Sequence, residues 1–328
     1  MKEIINRLTA LPITIQQTIR DNKDLKNLCY LTYGGSIAYG TNNENSDIDL
    51  RGIAVENLSD IILNKEFEVY DSTTDDFVVY GLKKFIKLCE SCNPNVLEML
   101  GTKEEHILYM NDIGNLIRDN RHLFYSKRAF KTFVGYATAQ LRRLQNALCH
   151  DSYDEKEKKH HILKSINSMM LSTKAQYGLT DDNISFDMVD NENECEMYTS
   201  VTINHMPLRK FVAINNELNN MLRNYEKLNN RNKKKDQNHL NKHAMHLIRL
   251  YYSGLDILEG RGIITYRENE IDILRGIRNG DITLDEVYKL VDELDIKLKK
   301  AFKETILPDA PNMEGIENML LSIYLNKY

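Results

Sequence analysis

The stretch YGGSIAYGTNNENSDIDLRG at residues 33–52 constrains the fold of this chain more than any other. Two glycines and a serine follow an apolar run at residues 28–33. This order predicts a strand that enters a tight turn, because glycine adopts conformations that other residues disfavour. A polar, asparagine-rich connection then leads to Asp47 and Asp49 in a second strand pattern, residues 47–55.

The two aspartates are expected to share one face of that second strand, because side chains two residues apart point the same way. Carboxylates this close repel each other unless a cation lies between them. Mg²⁺ is the simplest candidate, since it binds one or two carboxylates together with substrate phosphates. Ile48 and Leu50 are expected to point the other way, into the core.

Gly35 and Ser36 predict a phosphate site beside this metal pair. Glycine lets the backbone approach a ligand closely, the N–H groups at a helix start favour a phosphate, and serine adds a hydroxyl donor. Together the two elements are the equipment for phosphoryl or nucleotidyl transfer. A surface strand with two solvated aspartates is the alternative, but the order and spacing of the elements favour a functional site.

Length, charge and cysteine usage limit the class of protein. A chain of 328 residues is long enough for two domains. Its net charge of −5 disfavours a protein that coats long nucleic acid, although a local basic groove stays compatible with it. Five scattered cysteines, no signal-peptide pattern and no long apolar run predict a cytoplasmic protein without membrane contact.

Strand patterns concentrate in the first third of the chain. Residues 67–70 and 77–80 predict a third and a fourth strand, and residues 82–92 predict a helix. Residues 2–21 predict an amphipathic helix that Pro12 breaks or kinks. We therefore expect an α/β head over residues 1–110.

Helical periodicity dominates residues 111–328, the predicted helical body. The expected helices cover residues 127–149, 155–178, 207–230, 238–260 and 284–304. The last of them begins at a capping box, Thr283 to Glu286. Residues 180–196 interrupt the pattern as an acidic loop or small hairpin and are a candidate lid.

The glycine-serine turn followed by Asp-x-Asp resembles the motif of the DNA polymerase β nucleotidyltransferase superfamily. Within it, the chain resembles the bacterial and phage family of predicted nucleotidyltransferases that includes the RNA-ligase-associated RNA-repair branch. The resemblance rests on blocks within residues 34–101 and 241–312: GSIAYGTNNENSDIDLRG, DFVVYGLKKFIKL, NPNVLEML, KHAMHLIRL, RGIRNGDITLDEV and LPDAPN. It implies an α+β fold, with a nucleotidyltransferase-type mixed-sheet head, flanking helices and an all-α body.

The resemblance also implies roles for the motif residues. Gly35 and Ser36 would hold the triphosphate of an NTP, and Asp47 and Asp49 would bind two Mg²⁺ or Mn²⁺ ions. The superfamily usually adds a third carboxylate on a neighbouring strand. Asp76 is the candidate for this position and Glu68 is the alternative.

Further polar residues are candidates for nucleotide binding. Arg51 either contacts a phosphate or forms an ion pair with the aspartates. A polar face of the KHAMHLIRL helix either lines the NTP cleft or holds buried, hydrogen-bonded histidines: Lys242, His243, His246 and Arg249. Glu98, a lone carboxylate in an apolar run, is expected to orient Arg51 or a backbone turn.

The predicted reaction moves a nucleoside monophosphate from an NTP to an acceptor hydroxyl and releases pyrophosphate. The family association favours an RNA end, such as that of a tRNA, as the acceptor. The basic run at residues 231–235 either contacts RNA phosphates or is a solvated loop. The alternatives are an AMPylator-like or small-molecule (antibiotic) nucleotidyltransferase, and a non-catalytic, antitoxin-like nucleotide-binding partner. The sequence does not indicate an oligomeric state.

Overall fold

The computed structural model describes residues 4–44, 46–65, 67–72, 76–152, 170, 173–174, 177–190, 195–202, 205–230 and 237–328. The chain forms two compact units. The first consists of residues 1–139 and 244–328, and the second of residues 140–243. The predicted boundary at residue 110 stays a prediction.

The first unit is built on a mixed six-stranded sheet with the order β1-β6-β2-β3-β5-β4. Its strands are β1 (Ile5–Asn6), β2 (Leu28–Tyr33), β3 (Leu50–Ala54), β4 (Val69–Ser72), β5 (Phe77–Gly81) and β6 (Ile107–Met110). Strands β3 and β5 are parallel, and the other neighbouring pairs are antiparallel. This sheet with its flanking helices and the helical remainder of the chain confirm the predicted α+β class.

The α-helices fall mainly after the sheet, as the sequence predicts. They are α1 (Ile13–Asp21), α2 (Gly35–Tyr39), α3 (Leu58–Ile62), α4 (Leu82–Glu90), α5 (Pro94–Leu97), α6 (Asp112–Asp119), α7 (Arg128–Ser152), α8 (Leu208–Asn230), α9 (Gln237–Leu258), α10 (Ile271–Asn279), α11 (Leu284–Glu304) and α12 (Met313–Lys327). Most of the predicted helix at 155–178 and the basic run at 231–235 lie outside the described residues. No helix in the described part of the chain has the length and apolar character needed to cross a membrane.

The second unit contains a β-hairpin where the sequence predicts a loop or hairpin. Its strands are β7 (Ile184–Asp190) and β8 (Cys195–Val201), which pair antiparallel. A small core of buried apolar residues supports this unit: Met170, Leu179, Ile184 and Ile214. The lid function of the hairpin stays a prediction.

A hydrophobic core packs on one face of the six-stranded sheet. Leu31, Leu50, Phe77 and Val79 are fully or almost fully buried there and pack with Ile15 of α1. Alternation along the strands places these residues on one side. Arg51 and Ile53 of β3 lie on the other side, where Arg51 is half-buried and Ile53 is fully buried. The register of β3 is thereby fixed, and with it the position of the residues that lead into the strand.

The predicted helix at residues 2–21 is correct only after Pro12. The helix begins at Ile13, and Ile5 pairs instead with Met110 as part of β1. Proline lacks a backbone N–H donor and clashes within a helix interior, so it starts this helix instead of kinking it. The capping box of α11 is confirmed, since Thr283 N donates to Glu286 Oε2 at 2.8 Å and Glu286 N donates to Thr283 Oγ1 at 3.3 Å.

Candidate active site

The turn between β2 and α2 packs directly on Asp49. Gly34 N donates to Asp49 O at 2.8 Å. Gly35 has a φ of +51°, and a Cβ at this position would lie 1.7 Å from Asp49 Oδ2. Any other residue at position 35 would be strained and would displace the carboxylate. The glycine is therefore needed both for the turn and for its contact with Asp49.

Asp47 and Asp49 lie just before β3, which begins at Leu50, and not within the strand as predicted. Asp47 is exposed and the Asp49 side chain is about a quarter exposed. Leu50 is fully buried as predicted, but Ile48 is 46% exposed, so its predicted core position is wrong. Side chains alternate between the two faces of a sheet only where the strand is paired with its neighbours. Ile48 precedes that paired region, which begins at Leu50.

Arg51 connects Asp49 to the start of β5. Its guanidinium lies 3.3 Å from Asp49 Oδ1 and also donates to Asp76 O at 2.9 Å. Of the two alternatives for Arg51, the ion pair with an aspartate is the one observed. Its contact with a phosphate stays a prediction.

Asp76 lies beside the aspartate pair, at the end of β5 that adjoins the start of β3. Leu50 N donates to Asp76 O at 2.9 Å, and the Asp76 side chain is exposed. Asp76 has a φ of +45°, which is uncommon for a residue with a side chain. Asp76 is thus the candidate third carboxylate that the fold places near the other two, and its catalytic role stays a prediction.

Glu68 lies at the opposite end of β5. Gly81 N donates to Glu68 O, and the Glu68 carboxylate pairs with Lys84 Nζ at 2.8 Å. Five residues of strand separate Gly81 from Asp76, which is about 16 Å at the usual rise of a strand. Glu68 is therefore too far from Asp49 to share a metal with it.

The donor set fits a divalent cation that completes its coordination with a ligand. Among the described residues, no three His, Cys, Asp or Glu side chains are grouped closely enough to hold a metal by themselves. Mg²⁺ does not require such a cage, since it is commonly bound by one or two carboxylates plus substrate phosphates. Asp47 and Asp49 provide this smaller set next to the Gly35 turn.

A buried ion pair supports the helix that follows this turn. Glu98 and Arg249 are each 4% exposed and bind each other through Oε1 and an Nη of the guanidinium. Tyr39, the last residue of α2, donates its hydroxyl to Glu98 Oε2 at 2.9 Å. The Arg249 guanidinium lies 3.9 Å from the centre of the Tyr39 ring. Glu98 therefore contacts Arg249 and Tyr39, and the expectation that it orients Arg51 is wrong.

The surroundings of Tyr39 and Arg249 shift the pKa of both side chains. Burial raises the pKa of Tyr39 well above its ordinary value, Arg249 lowers it, and Glu98 and Asp49 raise it further. Burial lowers the pKa of Arg249, but Glu98 and Tyr39 raise it by more, so that it lies above its ordinary value. Tyr39 thus stays a neutral donor and Arg249 stays charged.

The predicted polar face of α9 is divided between the two compact units. His246 belongs to the first unit, where its ring meets the Tyr39 ring edge-on at 6.2 Å between centroids. Lys242, which is exposed, and His243, whose Nδ1 lies 3.0 Å from Gln140 Oε1, belong to the second unit. Arg249 is occupied by Glu98. Nucleotide binding by these four residues stays a prediction.

The C-terminal end of α2 is held by Tyr266 and Arg275, two residues that no sequence pattern indicates. Gly40, which ends α2, has a φ of +74°, and a Cβ there would lie 2.3 Å from Tyr266 Cε2. Arg275 Nε donates to Gly40 O at 2.9 Å. The only local signal was Gly40 itself, because a glycine after a short helical pattern predicts a left-handed C-terminal cap.

The glycine-serine turn packs on an Asp-x-Asp pair at the ends of two inner strands of a mixed sheet. This arrangement defines the class as a polymerase β-type nucleotidyltransferase. The profile of the RlaP family, described as an RNA repair pathway DNA polymerase beta family, matches residues 9–172, half of the chain. The chain belongs to this family. The matched region includes the turn, all three aspartates and Glu98, and membership in the family suggests nucleotidyltransferase activity.

A relative from enterobacteria phage T4, an uncharacterized 38.9 kDa protein in the nrdC-mobD intergenic region, is 32% identical over 122 residues. This match covers 33% of the present chain and 36% of the phage protein, so the chain spans about a third of that relative's length. No solved structure matches the chain significantly.

Proposed function

We propose that this protein transfers a nucleoside monophosphate from an NTP to an acceptor hydroxyl in a divalent-metal-dependent reaction. The observation that carries the proposal is the direct contact between Gly35 and Asp49. Gly35 belongs to the predicted phosphate site and Asp49 to the predicted metal ligands. Phosphoryl and nucleotidyl transfer require these two groups to lie side by side.

In the proposed reaction, the acceptor oxygen forms a bond to the α-phosphorus while the bond to the pyrophosphate oxygen breaks. The acceptor loses its proton and pyrophosphate leaves. Gly35 and Ser36 orient the triphosphate through backbone N–H groups and the serine hydroxyl, and Arg51 supplies a guanidinium for a phosphate oxygen. Asp47, Asp49 and Asp76, together with the phosphates of the substrate, would hold Mg²⁺ or Mn²⁺. The metal would offset the charge on the phosphates and favour loss of the acceptor proton.

The buried network positions this machinery without touching the substrate. Tyr39 lies four residues after Gly35, and Glu98 and Arg249 fix it from inside the protein. We propose that this network keeps α2 and its preceding turn against Asp49. Preorganised groups are effective because the site does not have to rearrange as charge develops.

We propose an RNA end as the acceptor, because the family is described by its place in RNA repair.

We also propose a cytoplasmic location. The buried cysteines Cys29, Cys89 and Cys92 are free thiols, which agrees with a reducing compartment.

The test is transfer of label from NTPs radiolabelled at the α-phosphate, with Mg²⁺ or Mn²⁺, to RNA, to the protein itself or to small molecules. Wild type is compared with the Asp47→Asn/Asp49→Asn double variant and with the surface control Asp272→Asn. Label that reaches RNA with wild type and control, but not with the double variant, supports the proposal. Label on protein or small molecules alone contradicts the RNA acceptor, and no transfer by wild type contradicts the enzyme.

A further inference from the structure

Arg51 lies at the centre of the candidate active site, beside each of its three parts. Its aliphatic stem packs beside the turn, since a Cβ at Gly34 would lie 3.0 Å from Arg51 Cγ. Its Nη2 lies 3.3 Å from Asp49 Oδ1. Its Nη1 donates to Leu50 O and to Asp76 O, both at 2.9 Å. One side chain therefore joins the turn, a predicted metal ligand and the backbone of the third candidate carboxylate.

The two ends of the Arg51 guanidinium are held with different strength. The bonds from Nη1 to the two backbone carbonyls have ordinary hydrogen-bond lengths. The contact of Nη2 with Asp49 is longer than the roughly 2.7–2.9 Å usual for a charge-assisted hydrogen bond. The Arg51 and Asp49 side chains are 28% and 25% exposed, and exposed ion pairs contribute little to stability. Nη1 is thus anchored on the backbone, whereas the contact of Nη2 is open to exchange for another anion.

The Asp49 carboxylate that Arg51 contacts is also a predicted metal ligand. Its Oδ2 faces Gly35 and its Oδ1 faces Arg51. A cation held by Asp49 meets the positive charge of the guanidinium at close range, and like charges repel. Arg51 and the cation therefore compete for the same carboxylate.

A nucleotide offers Arg51 a different anionic partner. The triphosphate is expected on the turn that follows β2, and the Arg51 stem packs beside this turn at Gly34. Guanidinium groups bind phosphate oxygens through strong, charge-assisted hydrogen bonds. We propose that Arg51 couples the binding of the two ligands: its Nη2 exchanges Asp49 for a phosphate oxygen of the NTP, and this exchange releases Asp49 to hold the cation.

Coupling of this kind is reciprocal. If the nucleotide draws Arg51 away from Asp49 and so strengthens cation binding, the cation strengthens nucleotide binding by the same factor. The ion pair and the phosphate contact, the two alternatives for Arg51, then become two successive states of one side chain. This inference rests on the proposed function, because it takes the NTP on the Gly35 turn and the cation on Asp49 as given.

The experiment measures Mn²⁺ binding by electron paramagnetic resonance, with and without a non-hydrolysable NTP analogue. Wild type is compared with Arg51→Met, which removes the charge. Arg51→Gln also removes it but keeps a donor for the Asp76 carbonyl, so it provides the test if Arg51→Met does not fold. Arg20→Met controls for the loss of one positive charge, because Arg20 is exposed in the last turn of α1.

Without the analogue, we expect Mn²⁺ to bind about fivefold or more tightly to Arg51→Met and Arg51→Gln than to wild type, because the competitor for Asp49 is gone. With the analogue, this advantage should disappear or reverse, because Arg51 of wild type then pairs with a phosphate. The factor by which the analogue strengthens Mn²⁺ binding should therefore fall about fivefold or more in both variants. Arg20→Met should bind like wild type in both conditions.

Equal strengthening of Mn²⁺ binding with and without the analogue would show that Arg51 stays on Asp49 in both conditions, and it overturns the proposal. Variants that bind Mn²⁺ like wild type in both conditions overturn it as well. If wild type itself binds no Mn²⁺ even with the analogue, the proposed function fails and this inference fails with it. Mn²⁺ binding by wild type thus distinguishes failure of the coupling from failure of the proposed function.

Discussion

The two ends of β3 carry carboxylates in opposite settings. Before the strand, Asp47 is exposed and Asp49 is about a quarter exposed. After the strand, Glu56 is 3% exposed, and its carboxylate accepts from Lys83 N at 2.9 Å and from the Tyr324 hydroxyl. The protein satisfies Glu56 with its own donors, which makes it a structural group, and it leaves Asp47 accessible to ligands. The residue type alone would not separate these two roles.

Glu56 also holds the C-terminal helix on the sheet. Tyr324 and Tyr328, both from the end of the chain, reach its carboxylate and its backbone carbonyl. The Glu56 carboxylate also accepts a hydrogen bond from the backbone N–H of Lys83, and this satisfies a donor in the first turn of α4. A single carboxylate thus joins β3, α4 and the end of the chain.

The largest expected effect distinguishes the functional role of Asp49 from the structural role of Glu56. Asp49→Asn should reduce label transfer on the order of 10⁴-fold, because a metal ligand contributes several kcal/mol of charge stabilisation. Its midpoint in urea denaturation should stay near that of wild type. Glu56→Gln should do the reverse, lowering the free energy of unfolding while retaining transfer activity. Equal activity losses in the two variants would contradict the assignment.

Arg249→Ala tests whether the ion pair below α2 is structural. Removing one partner leaves Glu98 buried and uncompensated, which should lower the free energy of unfolding by about 3–5 kcal/mol. The matched control is the apolar double variant Glu98→Leu/Arg249→Met, which should be less destabilised than the single variant. The measurement is urea denaturation of all three proteins. A harmless single variant would show that Arg249 is not needed to compensate Glu98.

Gly35→Ala tests whether the contact between the turn and Asp49 matters for activity. The positive φ alone should cost about 1–2 kcal/mol, and the Cβ must also displace the carboxylate. Gly260→Ala is the control, because Gly260 has a φ of +79° and nothing within 4 Å of its Cβ position. Gly35→Ala should lose at least as much stability as Gly260→Ala, but only Gly35→Ala should lose label transfer, by about tenfold or more. Full activity in Gly35→Ala would contradict the claim that this contact aligns the active site.

The smallest expected effect is a pH dependence of folding stability that arises from Tyr324, the tyrosine that contacts Glu56. Burial raises the pKa of Tyr324 well above its ordinary value, and Glu56 raises it further. The contribution of Tyr324 is fully present below about pH 10. As the pH rises, tyrosine in the unfolded chain ionises while Tyr324 stays protonated, so stability falls by at most about 1.4 kcal/mol per pH unit. Tyr324→Phe should make this slope shallower in denaturation measured from pH 8 to 11, and an unchanged slope would contradict the assignment.

The parts of the fold that the sequence predicts well are those with local causes. The turn and strands around the aspartates follow from glycine and from apolar patterning. The start of α11 follows from hydrogen bonds within four residues, Thr283 to Glu286. Strand β6 (Ile107–Met110) was not predicted, because a four-residue apolar run has no distinguishing period.

Other parts of the site depend on residues distant in sequence. Glu98 and Arg249 are 151 residues apart, and Glu98 stands as a lone charge in an apolar pattern. Such a pattern indicates a buried and compensated charge, but it does not name the partner. The choice between Asp76 and Glu68 likewise required the register of β5, since both residues flank strands and only the pairing shows which strand end each one occupies.

The most direct test of the central claim is Mn²⁺ binding, followed by electron paramagnetic resonance, in the presence of a non-hydrolysable NTP analogue. If Asp47 and Asp49 hold the cation beside the Gly35 turn, wild type and Glu56→Gln bind Mn²⁺ alike. Asp49→Asn then binds it at least about tenfold more weakly. Mn²⁺ binding of equal strength in wild type and Asp49→Asn would contradict the account.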